Sequence, residues 1–90
     1  MGRPVTLKTD MFYVYIIRSL SHLKRYYIGF TENIDRRVKE HNEGKSLHTS
    51  KYSPWQLAVY LAVPSKTKAL ELEHYFKSGS GRAFLQRHIL

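Results

Sequence analysis

The chain contains no cysteine. Disulfides and thiolate zinc sites are excluded, and with them the disulfide-scaffold class of small proteins. The same absence fits a cytoplasmic location. No apolar run approaches the ~18 residues that would span a bilayer. The first ten residues, MGRPVTLKTD, lack the apolar stretch of a signal peptide. They read as a flexible polar extension, 1–10, with one folded domain, 11–90, beginning at Met11. There is no internal repeat and no low-complexity segment. Acids are missing from two long stretches, Gly44 to Leu70 and His74 to Leu90.

What is present is basic. The 90 residues fit one domain with one core, and their formal charge is +8. The acid-free stretches carry Lys45, Lys51, Lys66, Lys68, Lys77, Arg82 and Arg87. An uneven positive field suits a polyanion, nucleic acid first. A membrane surface fits less well, because no stretch joins a long apolar helical face to a basic one.

Local patterns give the elements. FYVYIIRS (12–19) is β-branched and aromatic, with Tyr13, Tyr15 and Ile17 on one face and Phe12, Val14 and Ile16 on the other. A strand apolar on both faces is usually central. RYYIGF (25–30) is a second strand after a polar turn. Thr31 is the expected cap of a helix running to about Asn42 and stopping near Gly44. GKSLHTSKYSP is a basic loop. WQLAVYLAV (55–63) alternates, with Trp55, Leu57, Val59, Leu61 and Val63 expected on one face. Ser65 caps a second helix to about Lys77. GSG (79–81) is expected to break it, with a short last helix in RAFLQRHI. The fold class is α+β, a three-stranded sheet flanked by helices in the order β-β-α-β-α-α.

Helical geometry sorts the charges. With Ile34 as zero, Val38 falls at about +40°, His41 at about −20° and Arg37 at about −60°, beside the apolar stripe. Arg36, Lys39 and Glu40 point away. In the second helix Ala69, Leu72 and Phe76 form the stripe. Glu73 borders it at about +40°, with Lys77 as its i+4 partner, whereas Glu71 faces water. Taken singly, such residues have ordinary structural uses: stems that snorkel over a core, a hydrogen-bonded core histidine, tyrosines that suit strands. Together they can converge on one rim.

YVY (13–15) and YIG (27–29), with the helix TENIDRRVKEHN and the later ALELEHYFK, resemble the GIY-YIG nuclease superfamily over about residues 11–80. The likeness is greatest to its small single-domain members. Two departures stand out. The first glycine of the family's motif is Tyr13 here, and no asparagine follows Asn42, where many active members carry one near the end of the domain.

The resemblance implies hydrolysis of a DNA phosphodiester with one divalent metal ion, Mg or Mn. Glu73 is then the metal carboxylate. Arg37 holds the phosphate, and His41 bonds Tyr15 or relays its proton. Tyr15 is the expected base and Tyr27 orients water or phosphate, although spacing does not tell the two tyrosines apart. Gly29 allows close backbone approach. DNA contacts are expected from Lys45, His48, Lys51, Lys66, Lys68, Lys77, Arg82 and Arg87, which position a strand without reading its sequence. Branched or damaged DNA and a targeting protein partner are compatible with this reading, with no residue that argues for either. Two alternatives stand beside the low-specificity endonuclease or nickase. One is a catalytically inactive nucleic-acid-binding module on the same frame. The other is a protein-interaction domain whose surface is merely basic.

Overall fold

The computed structural model describes residues 11–90, so the expected extension over 1–10 lies outside the described residues. Three strands, β1 (Phe12–Ser19), β2 (Tyr26–Thr31) and β3 (Trp55–Val63), form one sheet. Its order is β2-β1-β3 and both pairings are antiparallel. The helices are α1 (Ile34–Asn42), α2 (Lys66–Lys77) and α3 (Gly79–His88), and a short 3₁₀ turn covers Ser50–Tyr52. This is the expected α+β order.

The doubly apolar β1 takes the centre. Its Val14 and Ile16, with Ile28 of β2, pack on Ala69, Phe76 and Leu85 of α2 and α3. Its Tyr15 and Ile17, with Trp55, pack on Ile34 and Val38 of α1 and on Tyr27, Tyr52 and Leu57. Two small cores therefore share one sheet. Full burial of a side chain such as Ile17 contributes about 1.5–3 kcal/mol.

Three expectations are corrected. The cap of α1 is Asn33, whose Oδ1 accepts the Arg36 N–H at 3.0 Å. Thr31 ends β2, and its hydroxyl oxygen accepts the Asn33 N–H at 3.1 Å, so it turns the chain two residues before the cap. The uniform face of β3 is broken by a bulge. Ile17 pairs with Leu57 but Ile16 pairs with Val59, leaving Ala58 between them. Trp55 and Leu57 thus join the α1 core, whereas Val59 and Val63 join the α2–α3 core. Finally, the break between the last helices is Ser78, and the GSG segment lies inside α3. The Ser78 N–H closes α2 on the Tyr75 carbonyl at 2.9 Å, and its Oγ caps α3 by accepting the Gly81 N–H at 3.2 Å. A Cβ at Gly81 would overlap the Tyr75 backbone, so a glycine is what lets the two helices meet this closely.

Candidate active site

The α1 face of β1 is unusual for a core because polar atoms run through it. Tyr15 is 1% exposed and His41 is fully buried. The Tyr15 hydroxyl lies 2.8 Å from His41 Nε2. On the far side of the imidazole, Nδ1 lies 2.7 Å from the Thr49 hydroxyl, itself buried. Thr49 is held in turn, because its carbonyl accepts the Trp55 indole N–H at 2.9 Å. A polar side chain this deep costs free energy unless it is bonded, and the described residues contain no unsatisfied buried side-chain polar atom.

Each element supplies its part for a local reason. Tyr15 pairs with Gly29 across the β1–β2 ladder. Its ring lies over that glycine, and a Cβ there would overlap the Tyr15 hydroxyl and ring carbons. Gly29 therefore makes room for Tyr15. Tyr27, two residues earlier on the same face of β2, stands with its ring 6.3 Å from that of Tyr15 and 5.1 Å from that of His41. Asn42 fastens the end of α1 to β3: its Nδ2 donates to the Trp55 carbonyl at 3.0 Å and its Oδ1 accepts the Trp55 N–H. That clamp fixes His41 one residue before it.

Two cations border the pair of tyrosines. Arg37, on the flank of α1, donates to Glu40 at 2.9 Å and lies beside the Tyr15 hydroxyl. By helical angle alone Glu40 points away from the site. Its carboxylate instead turns back over one turn of helix to meet Arg37. From the opposite layer, α2 brings Glu73 and Lys77, which pair at 3.1 Å as expected. The Lys77 ammonium stands 5.9 Å from the centre of the Tyr27 ring. Since β2 is an edge strand, residues of α2 reach past it to the α1 face.

Electrostatics follow from burial. Desolvation pushes the Tyr15 phenol up to about 12, with Arg37 working against it and Tyr27 and Glu73 adding to it. Desolvation and then the Arg37 charge push His41 down to about 4. At neutral pH the centre is a neutral phenol on a neutral imidazole. The pairing with Glu40 holds Arg37 protonated and lowers the Glu40 carboxyl.

The catalytic domain model of GIY-YIG matches residues 11–86. The chain belongs to the GIY-YIG family. Among GIY-YIG relatives it is 38% identical over 72 residues to structure-specific endonuclease subunit SLX1 of Debaryomyces hansenii, covering 72% of this chain and 21% of that protein. It is 36% identical over 70 residues to a UPF0213 protein of Haloquadratum walsbyi, covering 77% of this chain and 76% of that one. The chain spans about a fifth of the length of the Debaryomyces SLX1 relative and about three quarters of the UPF0213 protein. A UPF0213 protein from Bacillus halodurans, solved by solution NMR, superposes with a TM-score of 0.52 at 32% identity, over 86% of this chain and 83% of that chain.

Of the side chains expected at the site, His41, Tyr27, Arg37 and Glu73 all lie within interaction range of Tyr15, which covers Gly29. The expected DNA contacts do not form one cluster. Lys77 is at the site, and Arg82 adjoins it through a bond to the Lys77 carbonyl at 3.2 Å. Lys51 stands over the Tyr52 ring. Lys66 and Lys68 sit at the other end of α2, about 14–17 Å along its axis from Lys77. Lys68 and Lys45 are paired with Glu71 and Glu43. His48 and Arg87 are exposed. Thr49 and Asn42 were not foreseen as parts of the site. The available signal was His41 itself, since a buried imidazole needs a partner for each ring nitrogen and the polar loop after α1 is the nearest source.

Among the described residues no three His, Asp or Glu side chains converge to hold a metal. The donor set still fits Mg²⁺ or Mn²⁺, ions that keep several waters and bind through one carboxylate plus substrate phosphate. Glu73, half-buried and close enough to act on Tyr15, is the carboxylate available there, although its charge is paired with Lys77.

Proposed function

We propose that this chain is a metal-dependent DNA endonuclease or nickase of low sequence specificity. The observation that carries the reading is the buried line Tyr15–His41–Thr49, with Arg37 at its outer end and Glu73 across it. Each of these residues has a structural use alone, but the convergence of a phenol and an imidazole with a guanidinium and a carboxylate supports a chemical one. A phosphodiester hydrolase can use phenol, imidazole and guanidinium, for the base and for charge on the phosphate.

Glu73 would hold the metal ion, which supplies charge neutralisation at the phosphate when bound. Arg37 exchanges its Glu40 partner for phosphate oxygens, which accept its forked N–H groups. With Thr49 accepting from Nδ1–H, His41 Nε2 is free to accept the Tyr15 hydroxyl proton. Tyr15 Oη then has a lone pair for the proton of the attacking water. As that proton arrives, the phenol's own proton passes to Nε2, so Tyr15 need not ionise beforehand. Tyr27, half-buried, orients the water or phosphate. General-base catalysis of this kind supplies roughly 10²–10⁴-fold.

The test is cleavage of supercoiled plasmid and of branched duplexes in Mg²⁺ or Mn²⁺. Glu73→Ala and Arg37→Ala should each abolish measurable cutting. Tyr15→Phe should cost about 10²–10⁴-fold and Tyr27→Phe less. Cutting that survives both alanine changes defeats the assignment. One observation favours the second reading, a binding module that does not cut: the Lys77 ammonium already occupies the Glu73 carboxylate. That reading predicts salt-sensitive DNA binding, no cleavage, and little effect of Glu73→Ala on affinity.

A further inference from the structure

The sheet face that carries Tyr15 and Tyr27 continues beyond them. Alternate residues of a strand share a face, so Gly29, Tyr27 and Arg25 follow one another on the α1 side. Arg25 precedes β2 but still belongs to its ladder, because its carbonyl accepts the Ser19 N–H at 3.0 Å. Its guanidinium carbon lies 4.6 Å from the centre of the Tyr52 ring. The Lys51 ammonium stands 5.3 Å from the same centre, and the His22 ring meets Tyr52 edge-on at 5.0 Å. Tyr52 is anchored from below by the Tyr15, Ile17 and Trp55 core.

Most basic residues of α1 and α2 lie beside an acid. Arg36, Arg37, Lys39, Lys45, Lys68 and Lys77 each lie against a carboxylate. Among the described residues Arg25 and Lys51 have no such partner; nor does Arg82, but it stands alone over the Tyr26 ring, whereas Arg25 and Lys51 share one ring. An aromatic face holds a cation in place without cancelling its charge. Two like charges held on one ring leave a local positive excess that suits an anion. The run from Gly29, under the Tyr15 hydroxyl, to Arg25 is about 13–14 Å at the rise of a strand. A DNA strand advances about 3.4 Å per nucleotide, so the separation is about four nucleotides.

We infer that Arg25 and Lys51, positioned by Tyr52, form a phosphate clamp for the DNA strand about four nucleotides from the bond that is cut. The inference rests on the nuclease reading for its distance from the cut, and on binding alone for its test. The contacts go to the backbone, so they position the strand in every sequence.

The experiment measures affinity of Glu73→Gln for a fluorescein-labelled branched duplex across a salt series, with and without Arg25→Gln and Lys51→Gln together. Losing two phosphate contacts should weaken binding at low salt at least ten-fold. The slope of log affinity against log salt should shrink by about 1.4–1.8. Arg25→Lys should restore most of the affinity. Trimming the strand to within two nucleotides of the cut, on one side or the other, should erase the difference between clamp-bearing and clampless proteins. An unchanged slope overturns the clamp, and so does a difference that survives trimming on both sides. If the unmutated chain cuts no DNA but the slope still shrinks, the nuclease reading fails and the clamp stands. If it cuts and the slope is unchanged, the clamp fails and the nuclease reading stands.

Discussion

Val14 and Ile16 face α2 and α3, and Tyr15 and Ile17, one step along the same strand, face α1. The first pair meets only carbon, in a core of Ile28, Ala69, Phe76 and Leu85. The second pair shares its layer with His41 and Thr49, both bonded through side-chain polar atoms. One layer gains free energy from every buried methylene. The other buries ionisable groups, which yields less stability and fixes a hydroxyl and an imidazole in one geometry. One backbone thus separates a face that holds the fold from a face arranged for chemistry. Glu73 and Lys77 are the exception. They grow from the stabilising layer and reach the chemical one over the β2 edge.

The separation can be broken first at Leu85, which is 1% exposed and far from the polar line. Leu85→Ala should cost about 2–5 kcal/mol of stability, read by urea denaturation. The activity per folded molecule should be unchanged. A large loss of that activity would mean the layers are coupled.

The next largest effect belongs to the polar layer and depends on pH. Above pH 6.5 both folded and unfolded chains hold a neutral His41. Below it the unfolded chain takes up a proton, and the folded chain does not until about pH 4. The unfolded state binds more protons in that window, so stability falls as pH falls, by roughly 3–3.5 kcal/mol at most. His41→Gln should remove this slope, as seen in thermal midpoints between pH 7 and pH 4. An identical slope in both proteins would mean His41 is not buried neutral.

The smallest effect sharpens the exception. Lys77→Met removes the ammonium from Glu73, and Mn²⁺ binding without DNA, followed by electron spin resonance, should tighten a few-fold, under about 1 kcal/mol. Weaker Mn²⁺ binding would argue that Lys77 orients the carboxylate and does not compete for it.

Much of this arrangement was readable from residue spacing. Arg37 and His41 four apart, and Glu73 beside the Ala69–Leu72–Phe76 stripe, follow from 100° per residue alone. Glu40 did not follow, because a long side chain can turn back one helical turn, and backbone angle says nothing of that reach. Thr49 was hidden in a loop without periodicity. The cap of α1 was misplaced by two residues because Thr31 and Asn33 both accept backbone N–H bonds, and only the turn between them decides which starts the helix. Ser78 ends one helix and begins the next with a single residue, while the glycines after it, the stronger breakers by propensity, lie inside α3.

The bulge in β3 bears on how this chain tolerates changes of length. Ala58 is exposed and has no partner between Leu57 and Val59. Deleting it would leave Leu57 and Val59 adjacent, and adjacent residues already point to opposite faces. Both cores would keep their side chains, and the strand would simply lose its kink. Position 58 is thus the one place in β3 where the protein carries a spare residue. A relative lacking it would look frameshifted beside this chain while presenting the same two surfaces.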